Sequence, residues 1–371
     1  MGDSKEGSTV PRMHFNSPVP VKYLAFTLFI LVLLFFFFGG FGLVNLLERE
    51  VMGEEVEENT MGVCGDGTSY NSCSNVKPYA CVEGKLIEFA SICGCPENFA
   101  EENNNCISGY ETNSKELSLK YVLLGEESAI NFTVYGGFAD YVNEIPRSIY
   151  YTNGQNYSRV DFKLKAINEG EQKQFLLPLV VKIQNMTKDK KYQARIAISL
   201  VQNIPFGASN ETIAFSGSQI NHSRYPYEVL YDMKGICGEK TELLAFLLQE
   251  IGYGTSFFYY VNENHEAVGI KCPFKESLGE TGYCFVETTA PSIITDDKVY
   301  YFGVGELYSV PENYILSDGI ALGDDMYEYS DANKLIRIRN FIKRYGWLGP
   351  IREEIYNNLK EKYGLAENYY G

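Results

Sequence analysis

Nine cysteines, unevenly spread, constrain this 371-residue chain more than any other feature. Six of them (Cys64, Cys73, Cys81, Cys93, Cys95 and Cys106) crowd into 63–108, a turn-rich stretch poor in aliphatic residues. Such a segment cannot bury a core of its own and needs covalent staples. Three disulfides are expected, with fifteen pairings open. A zinc site is disfavoured, because no histidine lies nearby and paired CxxC units are missing. Cys272 and Cys284 bracket a loop containing Gly279 and Gly282, and a disulfide closing that excursion is natural. Six plus two leaves Cys237 without a partner, which in an oxidising setting marks a thiol worth following.

The surroundings of the cysteines suggest where the chain resides. From Tyr23 to Leu47 there is no charged residue, a run of 25 positions long enough to cross a bilayer as a helix. Arg12 and Lys22 precede it, and Glu48, Glu50, Glu54, Glu55, Glu57 and Glu58 follow. The basic-inside bias implies a single-pass signal-anchor, with the N-terminus cytoplasmic and the bulk of the chain extracellular. Glycosylation sequons at Asn131, Asn156, Asn185, Asn210 and Asn221 fit an exported chain. A net charge of −16, with no basic stripe interleaved with aromatics, argues against nucleic acid as a partner.

Pattern divides the chain into a cytoplasmic tail (1–22), the membrane span (23–47) and an acidic linker (48–62). The six-cysteine module (63–108) and a β-rich segment (109–144) follow, and the chain closes in an extension with two helices (311–371); the part between is bounded by the resemblance given below. Alternation over 116–134 reads as strands, and Gly136-Gly137 as a turn. Residues 172–183 read as a helix disturbed by Pro178, and 189–202 as a cleaner one. Leu243, Leu244, Leu247, Leu248 and Ile251 give a helix after Cys237 a buried stripe that Gly252 ends. Strands are expected at 255–261, 265–271 and 283–288, and amphipathic helices at 331–345 and 351–363.

Three of these elements carry chemistry. Cys237 heads a helix, where the dipole and unpaired N–H groups favour negative charge at sulfur. His265 and Glu287 lie in strands, suited as a base and its carboxylate orienter. The bland alternative is a buried, inert thiol. Among competitors, His222 sits in a polar Asn-His-Ser stretch and reads as a solvated surface histidine. Glu239 reads as a first-turn dipole partner. Glu266 should alternate to the strand face opposite His265. The Cys237 N–H is a candidate oxyanion donor, and Gln202 a candidate second one.

The segments Gly235-Ile-Cys-Gly-Glu-Lys, Asn264-His-Glu-Ala-Val-Gly-Ile and Phe285-Val-Glu-Thr-Thr carry a resemblance, together with Val201-Gln-Asn-Ile-Pro-Phe and Arg224-Tyr-Pro-Tyr-Glu-Val-Leu. In order and spacing, over roughly 145–310, they resemble transglutaminase-like domains of the papain-like superfamily, closest to membrane-anchored archaeal members. The resemblance implies an α+β fold in which a Cys-bearing helix packs on an antiparallel sheet, here preceded by the transmembrane helix and the disulfide-rich module. By position it makes Cys237 the nucleophile, His265 the base and Glu287 the third member, where the family usually has Asp. Ala267 stands where an aromatic is common, and the sole tryptophan, Trp347, lies far downstream. Hydrolysis of a peptide or glutamine amide through a Cys237 thioester is therefore expected ahead of cross-linking. No cofactor or metal is expected, and a protein or peptide is the expected substrate. The alternative from another class is a non-catalytic adhesion or scaffold module that keeps the fold. Thiol–disulfide exchange would need a resolving cysteine near Cys237, and no CxxC supplies one.

Overall fold

The computed structural model describes residues 62–149, 158–215, 218–298, 300–301 and 305–365. Two hairpins build the cysteine module: β1 (Tyr79–Val82) with β2 (Lys85–Glu88), and β3 (Ala100–Glu102) with β4 (Asn105–Ile107). A single helical turn, α1 (Ala90–Cys93), links them. The staples are Cys64–Cys81, Cys73–Cys93 and Cys95–Cys106.

Too small to bury its own apolar side chains, the module borrows a neighbour's. Cys64, Tyr79, Cys81 and Leu86 close over Val181. Gly65 lies so near that neighbour that a Cβ there would stand 2.0 Å from the Gln184 carbonyl oxygen. Asn185 accepts the Leu86 N–H at 2.7 Å and donates to the Leu86 carbonyl at 2.8 Å. One expected sequon asparagine is thus a bolt between module and core. Asn131, Asn210 and Asn221 are exposed, and Asn156 lies outside the described residues.

A long hairpin comes next, β5 (Ser114–Leu123) with β6 (Glu126–Tyr135). Its inward positions Leu117, Leu119, Tyr121, Ile130, Phe132 and Val134 are buried, as period-two alternation dictates. Helices α2 (Gly136–Glu144), α3 (Arg159–Ile167), α4 (Gly170–Met186) and α5 (Lys190–Gln202) follow. Gly136-Gly137 begins α2 rather than making a turn, and α4 runs unbroken through Pro178. Phe138 of α2 stacks on Phe175 of α4 with ring centroids 3.8 Å apart. After a small hairpin, β7 (Thr212–Phe215) with β8 (Ser218–Asn221), come α6 (Pro226–Asp232) and α7 (Cys237–Ile251).

Strands β9 (Thr255–Tyr260), β10 (His265–Lys271) and β11 (Tyr283–Val286) form an antiparallel sheet. A two-residue pair, β12 (Tyr300–Tyr301) with β13 (Gly305–Glu306), stands apart. The sheet's fourth strand is β14 (Glu312–Ser317), giving the order β11-β10-β9-β14. The sheet therefore extends past the boundary expected at 310. Helices α8 (Tyr327–Tyr345) and α9 (Pro350–Tyr363) finish the chain and share a core of Leu335, Ile338, Tyr356 and Leu359. Arg195 of α5, bonded to Glu328 at 2.5 and 3.0 Å, ties α8 to the rest.

Helix α7 is the pivot. It packs on β9 and β10 on one side and against α3, α4, α5 and α6 on the others. All but two residues from Gly238 to Ile251 are buried; Gln249 and Glu250 are half-buried, as is Cys237 at the helix head. A helix apolar on one stripe only would not be enclosed in this way. Enclosure obliges its polar residues to find partners inside the protein.

The fold expectation needs one correction. The observed architecture is α+β, with a four-stranded antiparallel sheet and four disulfides. Among the described residues no helix is long and apolar enough to cross a membrane. The expected span at 23–47 lies outside those residues. Four disulfides fit folding in an oxidising environment or outside the cell.

Candidate active site

Cys237 is the first residue of α7, and Ile236 before it is extended. Glu239 folds back to accept the Ile236 N–H at 3.0 Å and also takes the Arg224 N–H at 2.9 Å. It is a buried cap, which fixes the angle at which the chain enters the helix. A Cβ at Gly238 would meet Glu266 Oε2 at 2.6 Å and Lys163 Nζ at 3.0 Å, so a larger residue there would have to displace that ion pair. Of nine cysteines Cys237 alone is free, since Cys272 and Cys284 are bonded to each other.

His265 opens β10 directly after Asn264, whose φ of 48° turns the chain into the strand. Glu287 follows the last residue of β11, and the Val268–Val286 register puts it on the adjacent strand, diagonal to His265. His265 Nε2 lies 2.9 Å from Glu287 Oε2, with both side chains buried. The Cys237 side chain lies close enough to the imidazole to raise its proton affinity. With Nε2 given to Glu287, Nδ1 is the ring atom left for sulfur. Sequence spreads these three residues over 50 positions, and the fold brings them into one interacting group.

Burial alone would lower the affinity of His265 for its proton. The Glu287 carboxylate outweighs that, helped by Cys237, and the imidazole is pushed up to about 10. Burial likewise works against the Glu287 carboxylate, yet His265 and Thr289 hold it below its ordinary range. Glu287 Oε1 accepts the Thr288 N–H at 3.0 Å, the Thr289 N–H at 2.8 Å and the Thr289 hydroxyl at 2.6 Å. The carboxylate is therefore fixed from both ends, and its longer side chain reaches the histidine without loss of order.

The remaining candidates have other work. Glu266 pairs with Arg159 at 2.8 Å and Lys163 at 2.6 Å, on the opposite face from His265. His222 is not solvated, as its polar neighbours had implied, but buried at 5% exposure. Its Nε2 lies 2.8 Å from Glu228 Oε1 and 3.2 Å from Arg147, an ion-pair cluster separate from Cys237. Gln202 cannot serve an oxyanion with its amide N–H groups, which donate to the Glu287 and Ser292 carbonyls at 3.0 and 3.1 Å.

Two supporting groups escaped the sequence reading. Lys240, fully buried one turn after Cys237, donates to the carbonyls of Ile204 at 2.6 Å, Thr289 at 3.3 Å and Gln202 at 3.4 Å. Burial drives its ammonium down to about 7, against the pull of Glu287. Thr288 donates its hydroxyl to the Cys237 carbonyl at 3.4 Å. A lysine three residues after the thiol, inside a leucine-rich helix, was the available signal for the first. For the threonines, adjacency to Glu287 was the only one.

No group of metal-ligating side chains capable of holding an ion occurs among the described residues. The class these features define is an α+β protein bearing a thiol–imidazole–carboxylate site on a buried helix and an antiparallel sheet. Comparison with protein-family models, with curated proteins and with solved structures returned no match.

Proposed function

We propose that the protein is a transglutaminase-like cysteine enzyme that transfers acyl groups from a peptide or glutamine amide through a Cys237 thioester. The observation that carries this reading is the position of His265, 2.9 Å from Glu287 on one side and close enough to Cys237 for the thiol to raise its proton affinity. An imidazole that keeps its proton to about 10 is charged at neutral pH, which suits a sulfur attacking as an anion.

In the first half-reaction Cys237 Sγ bonds to the amide carbon and the carbonyl π pair moves to oxygen. The Cys237 N–H, at the head of α7 where a helix leaves its first N–H groups without intrahelical partners, is the proposed donor to that developing charge. The oxyanion collapses, the C–N bond breaks, and the His265 proton passes to the leaving amine. A thioester and a neutral imidazole remain. Water, or an amine, then attacks the thioester and gives its proton to His265 as the C–S bond breaks, regenerating the pair. Glu287 keeps the ring oriented throughout and stabilises each imidazolium. With Ala267 where the family commonly has an aromatic and the only tryptophan far along the sequence, a tryptophan-lined channel for an amine finds no support, so water is the proposed acceptor. Four disulfides support a site of action outside the cytosol.

The test is a screen of peptides and glutamine-amide donors with the intact protein and its Cys237→Ala variant. Turnover by the intact protein alone, with a thioester trapped at Cys237, is the expected result. Identical signals from the two on every donor would leave a scaffold that keeps the fold without the chemistry.

A further inference from the structure

From Ala332 to Arg352 the chain has six basic residues and no acidic one, within a protein whose net charge is −16. The stretch covers most of α8, the turn and the start of α9. Three of the cations are matched: Lys334 by Asp331, Arg339 by Asp296 and Lys343 by Glu306. Arg337, Arg344 and Arg352 are exposed and have no acidic partner among the described residues. The acidic residues resume at Glu353 and Glu354 and bound the patch.

Between these cations the helical turn displays large apolar side chains to solvent. Tyr345 is 52% exposed, Trp347 62% and Ile351 72%. Their arrangement is ordered: Phe341 lies 4.6 Å from the Tyr345 ring and 6.2 Å, edge-on, from Trp347, and Arg352 stacks over Phe341 at 3.9 Å. Basic residues in the last turn of α8 also answer that helix's own dipole. Arg352 has no such account, because it sits in the first turn of α9, where a cation is disfavoured. An aromatic and aliphatic tip ringed by unmatched arginines has the composition of a segment that sits at a lipid headgroup boundary. Exposed apolar patches of this kind mark interaction surfaces.

We propose that the α8–α9 turn docks on an anionic lipid surface, Trp347 and Ile351 entering the headgroup boundary while Arg344 and Arg352 meet lipid phosphates. This surface is independent of the chemistry proposed for Cys237. Trp347 is the chain's single tryptophan, so its fluorescence reports this turn whatever other segments do. The full chain is mixed with vesicles of phosphatidylglycerol or of phosphatidylcholine. With the anionic vesicles, emission shifts to shorter wavelength and is quenched by lipids brominated in the acyl chain. Substituting Arg344→Glu together with Arg352→Glu weakens the apparent affinity at least about tenfold. Ile351→Ser, which keeps every charge, reduces the shift as well, and circular dichroism confirms that both variants fold. Emission unmoved by anionic vesicles, or moved equally by neutral ones, would overturn the proposal. A shift caused by polyglutamate but not by vesicles would also overturn it, reassigning the turn to an acidic polypeptide.

Discussion

Lys240 and Glu287 hold the same residue from opposite sides: the lysine donates to the Thr289 carbonyl, while the Thr289 N–H and hydroxyl donate to the carboxylate. The lysine thus fixes the shelf on which the third member of the site rests. Lys240→Met keeps the bulk of the side chain but strands three buried carbonyls, and a buried polar group left unpaired costs about 1–3 kcal/mol. Loss of the buried amine offsets part of that. The sign with pH follows from an ammonium depressed from 10.5 to about 7. The unfolded chain binds the extra proton, so the native protein gains stability as pH rises from about 7 to 10.5, and the variant lacks that gain. The gap between the two proteins in urea unfolding should widen across this window. A constant gap would mean that Lys240 binds its proton equally well in the folded and unfolded chains.

His265 gives the opposite slope. Its folded proton affinity is raised from 6.5 to about 10, so the stability it contributes is complete below about 6.5 and is lost as pH climbs through 10. Glu287, depressed below 4.5, contributes above that value and loses its share as pH falls. Replacing Glu287 by Gln removes the main opposing charge, and the imidazole should titrate at least one unit lower in NMR spectra. It should also slow alkylation of Cys237 by iodoacetamide, which in the intact protein runs faster than with a free thiol at neutral pH. An unmoved titration would mean that the 2.9 Å contact does not govern the ring.

Much of this was legible in order and period. The leucines after Cys237 gave α7, alternation gave β5 and β6, apolar β-like runs gave β9 and β10, and subtraction among the cysteines isolated the free thiol. What sequence concealed is the enclosure of α7 on every side. Glu239, Lys240 and Glu242 beside the thiol look like a solvated first turn, yet each is buried against a partner supplied from far along the chain. His222 was misread for the same reason, since Arg147 lies 75 residues away. Strand β14 was missed because an edge strand with half-exposed positions carries no clean alternation.

Gly238 offers a test of the site's geometry that touches none of its reacting groups. Alanine is a better helix former, so Gly238→Ala would stabilise an isolated α7 by up to about 1 kcal/mol. In the folded protein its Cβ would stand 2.6 Å from Glu266 Oε2 and 3.0 Å from Lys163 Nζ, both locked in a buried ion-pair group. Overpacking of this kind costs about 1–3 kcal/mol. The head of α7 should be displaced from β10, lowering both the thermal midpoint and the rate of Cys237 alkylation. A more stable variant with unchanged alkylation would show that the helix head has slack.

The Cys272–Cys284 bond should be tested through the site rather than through stability alone. It joins the end of β10 to β11 at the end of the sheet away from His265 and Glu287, closing a separation of 12 residues. Cross-links of that span stabilise by about 2–4 kcal/mol, chiefly by restricting the unfolded chain. The register Ile270–Cys284, Gly269–Phe285 and Val268–Val286 then carries that constraint along the pair to the site. Replacing both cysteines by serine should lower the unfolding free energy measured in urea by that order while leaving the His265 titration in place, because the ladder itself holds the strands. If the titration falls along with stability, the disulfide sets the register, and the His265–Glu287 contact depends on the redox state of the surroundings.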